Sequence, residues 1–242
     1  MPSECAAQLG SGTADLGLIP IATLATTPGL RILPGCTIAT KSCMRSLLLV
    51  RRAGQPLEKV RSVAADTASR TTVAYTRILF HKWGNPRVPF VPMAADLDAM
   101  LKQADAAIVI GDPALLLMEE RADRLQRTGE ELVYHDLAEE WISLTGLPFI
   151  SAVWCAARGS ALDESVTDDL LQSRDHGLAN IGSLAAEWEG RIALSKTTIR
   201  SYLTSNIHYV LDEECLAGMR GFFCAAAEAG VLPAYDFVVE GS

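Results

Sequence analysis

Three short segments concentrate side chains able to act on a small anionic molecule. The first is Asp66-Thr67-Ala68-Ser69-Arg70-Thr71-Thr72. Ser69, Thr71 and Thr72 carry hydroxyl donors, and the Arg70 guanidinium can fork onto a carboxylate. A helix starting there adds free backbone N–H groups and a partial positive charge. The same residues also read as simple helix caps, with Arg70 turned to solvent. The second segment is Ile110-Gly111-Asp112-Pro113. Asp112 has the chemistry to exchange a proton with a bound molecule, and Gly111 allows close approach of the backbone. Asp before Pro is equally an ordinary helix start, with Asp as the N-cap and Pro in first position. The third is Leu144-Thr145-Gly146-Leu147-Pro148-Phe149. Thr145 and Gly146 offer a hydroxyl and a bare amide, although Gly146 is also a natural C-cap ahead of Pro148.

Other chemistries find no footing. The histidines at 81, 135, 176 and 208 are scattered, and no Ser/His/Asp or Cys/His arrangement can be argued. The cysteines at 5, 36, 43, 155, 215 and 224 form no CxxC pair, and no His or Cys stands at zinc spacing. Gly10-Ser11-Gly12 is too short for a phosphate loop. The expectation is a protein with no metal and no cofactor, which binds a small molecule or acts on it by positioning and electrostatics.

The 21 basic and 29 acidic residues leave a net charge of −8, which argues against a nucleic-acid partner. Cys155 and Cys224 sit in apolar runs and read as buried thiols of a reducing compartment. Asp66, Asp105 and Asp112 interrupt the most apolar stretches, and the N-terminus shows no leader pattern. A cytoplasmic protein without a membrane partner is expected, and the sequence leaves the oligomeric state open.

The elements that must carry these segments alternate between helices and short aliphatic strands. A first helix carries Cys5, Ala6 and Leu9. Strands are expected at 14–20, 30–33, 36–40 and 47–50, with a helical turn at 21–25. The middle is the most regular part: a strand at 60–65, a helix to about Trp83, a strand at 88–91, a helix at 96–103 and the apolar strand 106–110. This βαβαβ order, with unbroken aliphatic strands, implies parallel strands buried on both faces. Then come a helix at 137–144, a strand at 149–157 and helices at 168–188, 198–211 and 213–229. The pattern is α/β with two lobes and a ligand cleft between them. Residues 1–45 and 153–242 form the first lobe, and 46–152 the second.

Several segments together resemble the chorismate dehydratase family. They are Asp66–Thr72, Ile110-Gly111-Asp112-Pro113-Ala114-Leu115, Trp141–Phe149 with Ala152-Val153-Trp154, the piece from Pro2-Ser3-Glu4 through Asp15-Leu16-Gly17-Leu18-Ile19-Pro20, and Tyr202–Tyr209. The resemblance implies a type II periplasmic-binding-protein fold used as an enzyme of the futalosine route to menaquinone. It also implies removal of water from chorismate to give 3-[(1-carboxyvinyl)oxy]benzoate, without a cofactor. By that likeness Ser69, its adjoining amides and Thr71 hold a substrate carboxylate, while Thr145 and Gly146 line the opposite wall. Arg70, Gly111 and Asp112 complete the expected site. Two alternatives share the fold: a non-catalytic solute-binding protein and the sister 1,4-dihydroxy-6-naphthoate synthase. One departure is expected to matter: the family begins with a strand and helix of roughly 40 residues, about one βαβ unit, that precede the part seen here.

Overall fold

The computed structural model describes residues 2–66, 70–162 and 165–240, and side chains from residue 4 onward. The chain opens with α1 (Pro2–Ser11), β1 (Leu16–Pro20), the single turn α2 (Ile21–Leu24), β2 (Arg31–Thr40) and β3 (Leu47–Arg52). A 3-10 turn at Leu57–Lys59 leads into β4 (Val63–Asp66), α3 (Arg70–Lys82), β5 (Phe90–Met93), α4 (Leu97–Gln103) and β6 (Ala106–Ile110). Then follow α5 (Asp112–Thr128), β7 (Leu132–Asp136), α6 (Leu137–Thr145) and β8 (Phe149–Ala156). The C-terminal part holds α7 (Ser165–Ala179), α8 (Ile181–Glu189), α9 (Lys196–Ser201), a π-helical turn at Tyr202–Asn206, β9 (His208–Leu211) and α10 (Glu213–Glu228).

The strands form two sheets, one per lobe. The first runs β1-β8-β2-β9 with antiparallel neighbours. The second runs β5-β4-β6-β3-β7, parallel from β5 to β6 and antiparallel across β3. Alternation explains the aliphatic runs of the second sheet. Leu49, Val63, Ala65 and Ile108 point into the main core. Leu48, Val50, Ala64, Ala107 and Val109 point the other way, against Leu97, Met100 and Leu101 of α4. Successive side chains leave opposite faces of a strand, so a strand covered on both faces is apolar at every position.

The main core crosses from one lobe to the other. Tyr75 of α3 is fully buried at this junction. Its ring stacks on Phe149 of β8 at 3.9 Å, meets Trp141 of α6 edge-on at 4.9 Å and lies 4.4 Å from Phe222 of α10. Its hydroxyl accepts the Ile150 N–H at 3.2 Å, and burial pushes the phenol far above its ordinary titration range. By contrast α7 has no fully buried residue, and a small separate cluster of Leu115, Ala185, Leu194 and Ile199 anchors α8 and α9 on α5. No helix among the described residues is long and apolar enough to cross a membrane.

Several sequence expectations need correction. The strands expected at 30–33 and 36–40 are one strand, β2, with an irregular register around Pro34-Gly35. The helix expected at 168–188 breaks at Asn180 into α7 and α8. The helix expected at 198–211 stops after one π turn, and residues 208–211 become the edge strand β9 on β2. β7 went unread, because Tyr134, His135 and Asp136 mask a strand whose residues are mostly half-buried. The lobe boundary expected at 152/153 falls inside β8, which belongs to the first sheet from Phe149 onward. One continuous aliphatic run does not reveal where the chain leaves one sheet for the other.

Replacing Tyr75 by Phe keeps the ring contacts and removes one buried acceptor. The expected loss is about 1–3 kcal/mol, the cost of depriving a buried donor of its partner. It would show as a lower urea midpoint with an unchanged m-value.

Candidate functional site

A cavity of about 290 Å³ lies between the two sheets and draws its lining from both lobes. From the first lobe come Leu18 and Pro20 of β1, Ile38 of β2, and Ser151 and Ala152 of β8. From the second come Leu47 of β3, the first turn of α3 and the end of β6. A larger cavity of about 400 Å³ lies along another face of α3, and one of about 330 Å³ under α7 and α8 is largely aliphatic. The interlobe cavity is the better site, because it draws on both lobes and lies where β6 ends and α3 begins, and open parallel sheets bind ligands beyond their carboxyl ends.

The first turn of α3 presents Arg70, Thr71 and Thr72 to this cavity. Arg70 is exposed, and it lines the cavity behind α3 as well. Thr71 is buried, and its hydroxyl accepts the Ala22 N–H at 3.3 Å, tying α2 to the start of α3. Ser69, the other expected hydroxyl donor of this segment, lies outside the described residues.

Gly111 also lines the cavity. Its backbone, with φ 69° and ψ −146°, lies in a region that is essentially glycine-only, which explains the residue type. Its N–H donates to the Ser46 carbonyl at 2.8 Å, and its own carbonyl accepts from Ala114 and Leu115. Gly111 is therefore the N-cap of α5, and Asp112 is the first residue inside the helix. This corrects the expectation that Asp112 caps it. Asp112 is exposed and lines a neighbouring cavity of about 300 Å³ with Leu115, Trp188 and Tyr202.

Thr145 and Gly146 do not join this set. Gly146 ends α6 in the left-handed conformation, and its N–H donates to the Ile142 carbonyl at 2.8 Å. The Thr145 hydroxyl donates to the Trp141 carbonyl at 2.7 Å and accepts the Leu147 N–H at 3.2 Å. Both residues are exposed, and the opposite wall consists of Ser151 and Ala152 instead. The helix-stop pattern Gly-x-Pro describes them fully.

Two residues missed in the sequence complete the polar lining. Ser46 and Tyr202 meet hydroxyl to hydroxyl at 2.9 Å on the cavity wall. Tyr202 opens the π turn that follows α9, a geometry frequent at functional sites. Burial raises its phenol, so it remains a neutral hydrogen-bonding group at ordinary pH. The available signal was the apolar strand Leu47–Val50 starting right after a serine. Nothing local showed that residue 202 would lie against it.

The floor beneath Ser46 depends on Asp136. This buried carboxylate caps α6 through the N–H groups of Ala138 at 3.0 Å and Glu139 at 3.2 Å. Its second oxygen accepts the N–H groups of Met44 at 3.0 Å and Arg45 at 2.5 Å. Burial pushes the carboxyl above the ordinary aspartate range, and the four N–H groups oppose that rise. Arg45 has φ 59°, a conformation that costs a non-glycine residue about 1–2 kcal/mol. Its bond to Asp136 and the Arg45–Glu119 ion pair at 2.7 Å hold it there.

One further cluster could hold a metal. The ligand atoms of His208, Asp212 and Cys215 lie within 4.8 Å of one another. However, Lys41 sits 2.7 Å from the Asp212 carboxylate and already neutralises it, while Asp212 also caps α10 through the Cys215 N–H. The Lys41–Asp212 ion pair, with the His208 Nε2–Asp212 contact at 3.0 Å beside it, ties the end of β2 to the start of α10.

Asp136→Ala should cost at least about 3 kcal/mol, since four donors lose their acceptor together. Asp136→Asn, which keeps one carbonyl oxygen, should cost less. Urea titration of both variants checks the order.

Comparison with known proteins places this geometry. A family model described as menaquinone biosynthesis matches residues 1–228. Chorismate dehydratase of Thermus thermophilus is 28% identical over 242 residues, covering 96% of this chain and 86% of that protein. Among solved structures, a protein from Archaeoglobus fulgidus superposes with a TM-score of 0.70 at 15% identity, over 96% of this chain and 85% of the other. A Candida albicans gene product with the generic periplasmic-binding-protein fold gives 0.64 at 13% identity, over 97% and 79%. The alkanesulfonate-binding protein of Xanthomonas axonopodis pv. citri gives 0.58 at 13% identity, over 96% and 81%. These structural likenesses establish the fold, which is that of the periplasmic binding proteins, and the family match extends over nearly the whole sequence: the chain belongs to the menaquinone-biosynthesis family.

Proposed function

We propose that the protein is a chorismate dehydratase, a carbon–oxygen hydro-lyase that converts chorismate to 3-[(1-carboxyvinyl)oxy]benzoate in the futalosine route. The similarity to the Thermus thermophilus enzyme over 96% of the chain supports this reading. The structural observation that carries it is the interlobe cavity, where one guanidinium and several hydroxyls converge between aliphatic walls. Its volume of about 290 Å³ stands at the small end of small-molecule sites.

The reaction asks little of covalent chemistry. A proton leaves the ring carbon that bears the enolpyruvyl ether, and the neighbouring hydroxyl departs as water. The ring becomes aromatic, which supplies the driving force. The protein must hold two carboxylates, exclude water and assist the departing groups. Arg70 and the partial positive charge at the start of α3 suit one carboxylate. The Ser46–Tyr202 pair suits the departing ring hydroxyl, because a neutral phenol can donate to the oxygen as charge develops on it. Leu18, Ile38, Leu47 and Ile110 keep the ring in an apolar slot. The six free cysteines agree with a reducing, cytoplasmic setting.

The test is incubation with chorismate followed by chromatography for the enolpyruvyl benzoate. Product is expected, and its absence from folded protein would sink the proposal. Tyr202→Phe should lower kcat/KM by about tenfold or more while leaving the fold intact, in the range of losses seen when a polar group facing a transition state is removed. Ser69→Ala should instead weaken chorismate binding. Turnover of the cyclic futalosine-derived substrate in place of chorismate would favour the sister naphthoate synthase.

A further inference from the structure

Arg70 borders two cavities. One is the interlobe site. The other, of about 400 Å³, runs along the α3 face formed by Arg70, Val73, Ala74 and Arg77, a spacing of i, i+3, i+4 and i+7. Edge strand β5 and the segment after α10 close it, through Phe90 and Leu232 among others. The Arg77 guanidinium lies 4.2 Å from the centroid of the Phe90 ring, which holds the cation over an apolar surface.

The charge of this pocket runs against that of the molecule. The chain carries a net charge of −8, yet two arginines and a single acid line the cavity. Among the described residues, neither Arg70 nor Arg77 has a carboxylate within ion-pair distance. The acid, Asp66, is buried and has a polar contact of its own. Elsewhere arginines pair readily: Arg45, Arg52, Arg61 and Arg124 each meet a carboxylate at 2.5–2.9 Å. Two unpaired guanidiniums on one helix face, above a ring and aliphatic walls, form a receptor for an anion with an apolar body.

We propose that this pocket is a second ligand site for an aromatic dicarboxylate, with one carboxylate on Arg70, the other on Arg77, and the ring against Phe90 and Leu232. Seven residues separate the two arginines, about 10 Å along the helix axis, a distance their long side chains can shorten to match carboxylates on either side of one ring. The inference deepens the dehydratase reading and rests on it for the natural ligand, because the enolpyruvyl benzoate product is such a dicarboxylate. It also has a functional consequence. Arg70 cannot serve both cavities at once, so a molecule in the outer pocket withdraws a cation from the substrate site. Product in the outer pocket then restrains its own formation.

The probe is 3-(carboxymethoxy)benzoate, which has the two carboxylates and the ring but no enol ether. Calorimetric titration of the wild-type chain should show two binding events. In Arg77→Gln one event should weaken by about tenfold or more, as befits loss of a charge-assisted bidentate contact. Arg77→Lys should restore part of it. Arg77 does not line the interlobe cavity, so chorismate turnover without probe should be unchanged in both variants. The probe should raise the KM for chorismate more in the wild type than in Arg77→Gln. A single binding event in the wild type, or two unchanged events in Arg77→Gln, would overturn the second site. Parallel chorismate assays keep the two ideas apart: an Arg77-dependent second event without turnover upholds the pocket and rejects the dehydratase, and turnover with one event does the reverse.

Discussion

A single buried carboxylate holds the middle of this molecule together. Asp136 ends β7, starts α6 and accepts four backbone N–H groups drawn from two places far apart in the chain. Without it, Met44 and Arg45 would have no reason to follow their path into β3. Ser46 takes its place at the cavity because the two residues before it are pinned. Its carbonyl then holds the Gly111 N–H, so the floor of the site and the N-cap of α5 depend on the same anchor. A carboxylate buried this deeply is tolerable only because each of its oxygens is matched by two donors.

The aromatic cluster around Tyr75 complements that polar anchor. Asp136 fixes the path of the backbone, whereas Tyr75, Trp141, Phe149 and Phe222 fix how α3, α6, β8 and α10 sit against one another. The interlobe cavity opens beside this junction and inherits its order on the second-lobe side. The α3 helix takes part in both arrangements, with Tyr75 in the core and Arg70 at the cavity. A shift of the helix would move the cation and the core ring together.

What the sequence revealed follows the range of each interaction. Asp96, Asp212 and Gly146 mark helix ends through contacts within a few residues, and such ends can be read locally. The central strands β3, β4 and β6 of the second lobe declared themselves through aliphatic runs covered on both faces. β9 and β7 did not, because short edge strands are defined by a neighbour many residues away. The same logic sorts the site. Thr71 stands in the first turn of α3 and Gly111 at a strand-to-helix turn, and they were visible as a hydroxyl donor and as a glycine that allows close backbone approach. Thr145 and Gly146 had equally suggestive residue types, but their local role as a helix stop accounts for all of their contacts. Ser46 and Tyr202 are 156 residues apart and meet only in the folded chain.

The uneven distribution of the core has an evolutionary side. Substitutions at exposed positions away from buried contacts usually change stability by less than about 0.5 kcal/mol. Helix α7 has no fully buried residue, and the cluster that anchors α8 and α9 is small and separate from the main core. Selection for folding therefore presses lightly on this stretch, while α3 and β8 have almost no freedom to drift. Divergence between relatives should accumulate in the 165–189 helices first, and new binding properties can be tried there at little risk to the catalytic frame.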